Sequence, residues 1–381
     1  PNEVKPLLQL LAVAMILGAA GSVLGFELRD DGYHVFPGDD LQKVVNRAAT
    51  NAEVKTVLVH EGVYVPQSHR QALVYLNRSH SGVRLIGIGR PTLSAANPQI
   101  ADPASPSFPA VVNHVLYLGD GLSTNTEVRN FRLTGANQFV TNSFQDVMEP
   151  DRSLRKGRFY YGDGGAIKIY RRSYPVLRDL EVVDNNASPC AGGISIQHEG
   201  ATNRYVLIEN CIFRNNRAEV TGAALDLLWG SHARVVNCLF EGNVSNTGPG
   251  EGENPFDNNG VITVFPRSRL HLERCTLTGN RNGIDDLGGL STYMACLLTG
   301  NRVPGGSPDL TRFELDLRLG GSVEGCVVVG PVLDPLSAIS PSLNRLLTAP
   351  PRLDDRSVPL DPELAAVGYR PPTSLPGTGT R

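Results

Sequence analysis

Apolar and polar positions in the second half of the chain fall into a figure that recurs: an apolar residue, a cysteine three later, an apolar residue two beyond it, and an asparagine five beyond it. Ile208, Cys211, Phe213 and Asn216 form one copy, Cys238, Cys275 and Cys296 centre three more, and the figure decays at Cys326. Successive cysteines are 27, 37, 21 and 30 residues apart. A fixed motif with elastic spacing is the mark of stacked coils, some of which carry loops. Without its cysteine the figure continues upstream through Leu177–Asn185, Val128–Leu133 and Leu85–Ile88.

Spacings of three and then two cannot point Ile208, Cys211 and Phe213 to one side of a straight strand of period two. The chain must therefore bend just before each cysteine. That place holds Gly87, Asn130, Asp179, Asn210, Asn237 and Gly325, residue types that tolerate left-handed backbone, with Arg274 and Ala295 departing from the preference. A further short strand, led by glycine, belongs to each unit: Ile167–Ile169, Ile194–Ile196, Leu225–Leu227, Val261–Val264 and Ile284–Asp286. Three short strands per turn are predicted. Ahead of the coils, Leu41, Val44, Val45 and Ala48 recur at helical spacing behind Asp39 and Asp40, and Val57–Val59 reads as a first strand. A helix there would cover strand edges that otherwise invite pairing with other chains.

With these motifs the chain resembles the pectate-lyase-like superfamily over residues 33–330. The resemblance implies an all-β fold, a right-handed parallel β-helix solenoid with an N-terminal capping helix, and it implies fold far more than function. The expected organisation is a short N-terminus at 1–6, an apolar segment at 7–26, the solenoid at 27–330 and an irregular cap and tail at 331–381.

Leu7–Phe26 carries no charge over 20 residues, long enough as a helix to span ~30 Å of hydrocarbon. It reads as a single transmembrane anchor, a signal segment being the alternative. Lys5 lies before it and Glu27, Asp30 and Asp31 after it, which by the positive-inside tendency places an inner-membrane protein with its solenoid in the periplasm. With 40 glycines among 381 residues and 6% aromatics, composition suits short strands and tight turns. A net charge of -3 lacks the basic field that nucleic acid requires, so nucleic acid is not an expected partner.

An oxidising compartment would invite disulfides, yet Cys211, Cys238, Cys275, Cys296 and Cys326 occupy equivalent inward positions. Coils stand ~4.8 Å apart while bridged Cβ atoms want ~3.8 Å, so a core ladder of free thiols is expected. Their spacings exceed the short pairs of zinc and iron–sulfur sites, no metal or cofactor is expected, and Cys190 stands off the ladder without an assigned role.

Polysaccharide lyases of the resembled fold carry calcium-binding carboxylates and a basic proton abstractor on the outer face of one strand column. The corresponding residues here are Lys168, Ser195, Asp226, Thr263, Asp285 and Asp316. One acid between Ser and Thr falls short of a calcium cluster, and Asp285 and Asp286, being consecutive, should face opposite sides of their strand. Asp285 and Asp286 read first as solvated strand residues or a turn, and Asp226, Asp285 and Lys168 are the least implausible catalytic set. The Asp-Pro-His-Asp signature of epimerases sharing the resembled fold is absent. Trp229 is a weak sugar-stacking candidate. An interface is expected around Arg152, Arg155, Arg158, Phe159, Tyr160 and Tyr161, with Leu228 and Phe265 as a partly apolar stripe, since Arg and Tyr anchor protein contacts. The sequence therefore points to a non-catalytic accessory or scaffold subunit on a larger membrane protein complex, a photosynthetic or respiratory assembly being one host that would fit. An exported polysaccharide-binding protein, lyase or hydrolase is the alternative.

Overall fold

A computed structural model describes residues 25–141, 148, 158–248, 259–303 and 312–372. Each coil contributes one strand to each of three sheets, as Val206–Glu209, Ile212–Arg214 and Leu225–Leu228 do, and the sheets grow to 11, 10 and 9 strands. We call these the first, second and third sheets. Pairing between named strands is parallel everywhere except Phe26–Arg29 with Gly32–Val35. The fold is thus an all-β solenoid of stacked parallel sheets, consistent with a parallel β-helix.

The bends before the cysteine positions adopt the conformation their residues favour. Asn130, Asp179, Asn210, Asn237 and Gly325 all have positive φ, and Arg274 and Ala295 do too, at 50° and 49°. Stacking therefore overrides local preference at two coils, a cost natural sequences accept where neighbours fix the turn. Gly87 differs: its φ is ordinary, but any Cβ there would collide with the Asn130 carbonyl oxygen.

Helix α1, Leu41–Thr50, begins where Asp40 accepts a hydrogen bond from the Lys43 amide at 3.1 Å, and it buries Leu41, Val44, Val45 and Ala48. It also closes a sheet edge. Gln42 accepts from the Tyr75 amide at 2.6 Å and donates to the Tyr75 carbonyl at 3.0 Å, replacing the neighbour that Arg70–Leu76 lacks.

Two polar ladders run through the core. Cys211, Cys238, Cys275, Cys296 and Cys326 are free and buried, and the amides of Cys211 and Cys238 each donate to the sulfur one coil on, at 3.3 Å. Five residues later, Asn185, Asn216, Asn243, Asn280 and Asn301 hand side-chain amides to one another at 3.1, 3.0, 3.0 and 2.6 Å, ending on Glu314. Between the ladders Phe213 stacks on Phe240, centroids 4.6 Å apart. Because all six thiols are buried, a thiol reagent should label none of them in the native protein and all six in denaturant. Rapid native labelling of a ladder cysteine would contradict this packing.

The solenoid outruns the boundary expected at residue 330, since Val332–Leu333 and Arg345–Leu346 still join the third and second sheets. Up to residue 372 the following segment runs back along the coils, Gly368 donating to Ala295, Tyr369 to Thr276 and Arg370 to Asn237 at 2.7–2.9 Å, and the expected tail from Thr373 to Arg381 lies outside the described residues. The apolar segment 7–26 lies outside the described residues except at its last two positions, and among the described residues no helix is long and apolar enough to cross a membrane.

Candidate functional site

The outer face of the third sheet carries one chemistry-bearing residue per coil. Strand register aligns Tyr75, Tyr117, Lys168, Ser195, Asp226, Thr263, Asp285 and Asp316 in one column. From Lys168 onward this is the column read from the sequence. Although these residues point outward from the sheet, every member is buried, including Asp285, expected to be solvated.

The cover comes from each coil's own approach segment. Asp163, Cys190 and Thr221 each lie five residues before Lys168, Ser195 and Asp226, and each is followed by a residue with positive φ, Gly164, Ala191 and Gly222. That turn folds the preceding side chain over the column. Lys168 Nζ donates to Ser195 Oγ at 3.2 Å and Gln197 Oε1 at 3.3 Å, and stands 4.0 Å from Asp163 Oδ2. Asp163 Oδ1 accepts from the Cys190 amide at 3.0 Å, and Asp226 Oδ2 from Thr221 Oγ1 at 3.1 Å. Carboxylate oxygens of Asp163 and Asp226 and the Cys190 sulfur lie within 4.8 Å of one another. Cys190, without a role in the sequence, belongs to this cluster.

Burial sets the protonation states. It raises Asp226 well above the usual carboxylate range, with the Asp163 charge adding to the effect, and it raises the Cys190 thiol in the same way. It lowers Lys168, against the attraction of Asp163. His114, whose Nδ1 donates to the Gly164 carbonyl at 2.9 Å, is pushed down to about 3 by burial and by Lys168. Exclusion of water penalises the charged form of each of these groups. As a metal site the cluster fits poorly: it offers three donors rather than the six to eight oxygens of calcium, and Lys168 already places a cation against Asp163.

Towards the first coils the column is aromatic. Tyr75 stacks on Tyr117 at 4.5 Å, the Tyr160 hydroxyl donates to that of Tyr117 at 2.9 Å, and Tyr170 packs edge-on to Tyr160. Of the residues expected at an interface, Tyr160 is buried in this wall, Leu228 is buried further along the sheet, and Tyr161 and Phe265 are half-buried. Arg152 and Arg155, and the side chains of Arg158 and Phe159, lie outside the described residues. At the other end Asp316 pairs with Arg318 at 2.6 Å, and Asp285, 3% exposed, is pushed up to about 7 by burial and then by Asp316. Asp286 instead accepts from Tyr293 at 2.8 Å and from the Gly288 and Gly289 amides, so the two consecutive acids serve different surroundings.

What is open to solvent lies elsewhere. Turns leaving the third sheet expose Trp229, Leu290, Leu319 and Leu336, Trp229 to 65%. On another flank an open groove of about 490 Å³ is lined by Gln138, Asn186, Arg217, Asn246, Thr247 and Arg281, with no carboxylate or aromatic ring among the described residues that line it. Compared with known protein families and with curated proteins, the chain matches no family model and no curated sequence.

Proposed function

We propose that this protein is a non-catalytic accessory subunit, tethered through residues 7–26 with its solenoid outside the cytoplasm, that docks on a larger membrane protein complex. The proposal includes right-handed winding and kinship with the pectate-lyase-like superfamily. The observation that carries it is the sealing of a column rich in acid–base groups. Lys168 and Asp226 are wholly buried, and a polymeric substrate needs catalytic groups in an open cleft. The exposed row Trp229, Leu290, Leu319 and Leu336 supports docking, since large apolar side chains repeated along one edge are a surface to be covered.

Mild-detergent extraction of the native protein, size separation, and mass spectrometry of its N-terminus and co-migrating chains test this. The expected result is a chain retaining residues 7–26 within a large membrane assembly, from which Trp229→Glu combined with Leu319→Glu releases it. A soluble monomer beginning near Phe26 would overturn the reading. It would favour an exported protein that binds an acidic polysaccharide, which the Arg217 and Arg281 groove supports.

A further inference from the structure

The cluster under the third sheet has the parts of a reaction that needs no external substrate. From the placement of Lys168, Asp163, the Cys190 amide and Asp226, the geometry points to an intramolecular isopeptide bond between Lys168 Nζ and Asp163 Cγ. This goes beyond the proposed function and is independent of it.

Each requirement is met by a named group. The nucleophile is the Lys168 amine: Ser195 Oγ and Gln197 Oε1 accept hydrogen bonds from Nζ at 3.2 and 3.3 Å, which fixes the nitrogen 4.0 Å from Asp163 Oδ2. The electrophile is held by its other oxygen, because the Cys190 amide donates to Asp163 Oδ1 at 3.0 Å, where negative charge develops as the carbon becomes tetrahedral. Gly164, at a φ of 82°, turns the chain tightly enough to set the two side chains beside each other although they are only five residues apart. Burial excludes the water that would favour hydrolysis.

The step balances without a co-reactant. The Lys168 ammonium first passes a proton to the Asp163 carboxylate, giving amine and carboxylic acid. Nζ then attacks Cγ while Asp226, present as the acid, protonates the departing oxygen and recovers a proton from nitrogen. A C–N bond forms, a C–O bond breaks, one water leaves, and Asp226 is regenerated. Burial holds Asp226 in the protonated form this role demands and favours neutral Lys168. The product replaces two buried charges by a neutral amide, removing a desolvation cost that a buried ion pair carries.

The test is mass spectrometry of the full chain. The bonded protein weighs one water less than its sequence, and trypsin, unable to cut after an acylated lysine, yields residues 159–171 less one water instead of residues 159–168. Lys168→Arg and Asp226→Asn should each restore the full mass, and Asp226→Asn should restore cleavage after Lys168. A full-mass native protein cut normally at Lys168 overturns the proposal. So does a water loss that survives in Lys168→Arg, which would report ring closure at Asp163-Gly164 instead. A bond that forms undiminished in Asp226→Asn would remove Asp226 from the mechanism, and if that variant does not fold, the peptide map of the native protein still decides whether the bond exists.

Discussion

Asn243→Ala is expected to lower folding stability by about 4 kcal/mol, since each buried polar group that loses its partner costs about 1–3 kcal/mol. Asn243 sits mid-ladder with no exposed surface. Its side-chain oxygen accepts from the Asn216 amide and the Asn216 side chain, both at 3.0 Å, and its nitrogen donates to the Phe213 carbonyl and to Asn280 at 3.0 Å. Truncation strands the Asn216 amide in the core, takes a hydrogen bond each from the Asn216 side chain, the Phe213 carbonyl and Asn280, and splits the ladder, while alanine adds nothing to replace them. Asn215 is the control: it is exposed, has a φ of 56°, and only reaches Asp184 at 3.3 Å. Asn215→Gly should change stability by less than about 0.5 kcal/mol, because glycine adopts that backbone freely. Urea unfolding followed by far-ultraviolet dichroism measures both. Because coils contact only their neighbours, the lesion should also appear as faster amide exchange around residues 213–243 than in the first coils. A loss below about 1 kcal/mol in Asn243→Ala would mean that the ladder is not a source of stability.

The coil was legible in the sequence because its signal is steric and repeated. A cysteine position with one spacing of three and one of two demands a bend, and the bend falls where it was read, even at Arg274 and Ala295. The register of the outer column was legible for the same reason, since Lys168 through Asp316 occupy the same place relative to their inward neighbours. Its cover was not. Asp163, Cys190 and Thr221 belong to turns of unlike composition, and they come over the column only because Gly164, Ala191 and Gly222 take left-handed backbone. Recognising that a small residue follows each of the three, five positions ahead of the column, would have exposed the pattern. Tyr75 and Tyr117 escaped because their strands are seven residues long and lack the glycine lead of later coils. Tyr160 shows the opposite error: an aromatic in a basic run suggests an interface, but its ring completes a wall around Tyr117 and Tyr170.

Asp285→Asn should stabilise the protein at pH 8.5 by roughly 2–4 kcal/mol and leave it nearly unchanged at pH 4. Burial and the neighbouring Asp316 lift Asp285 from 3.8 to about 7 in the folded chain. Below pH 3.8 both folded and unfolded forms hold the proton, and the residue contributes no pH dependence. Between that point and pH 7 the unfolded chain releases it while the folded one keeps it, so stability falls by ~1.4 kcal/mol per unit as pH rises. Above pH 7 both are ionised, and the full loss remains. Asparagine keeps the shape and removes the charge, while Arg318 retains Asp316 as its partner at 2.6 Å. Thermal unfolding of both proteins across this range should give curves that meet near pH 4 and separate towards pH 7, with the variant melting higher. If the variant instead melts lower at pH 8.5, the Asp285 carboxylate is stabilised in the folded chain by Arg318, and the column's acids act as a charged pair with that arginine rather than as buried neutral groups.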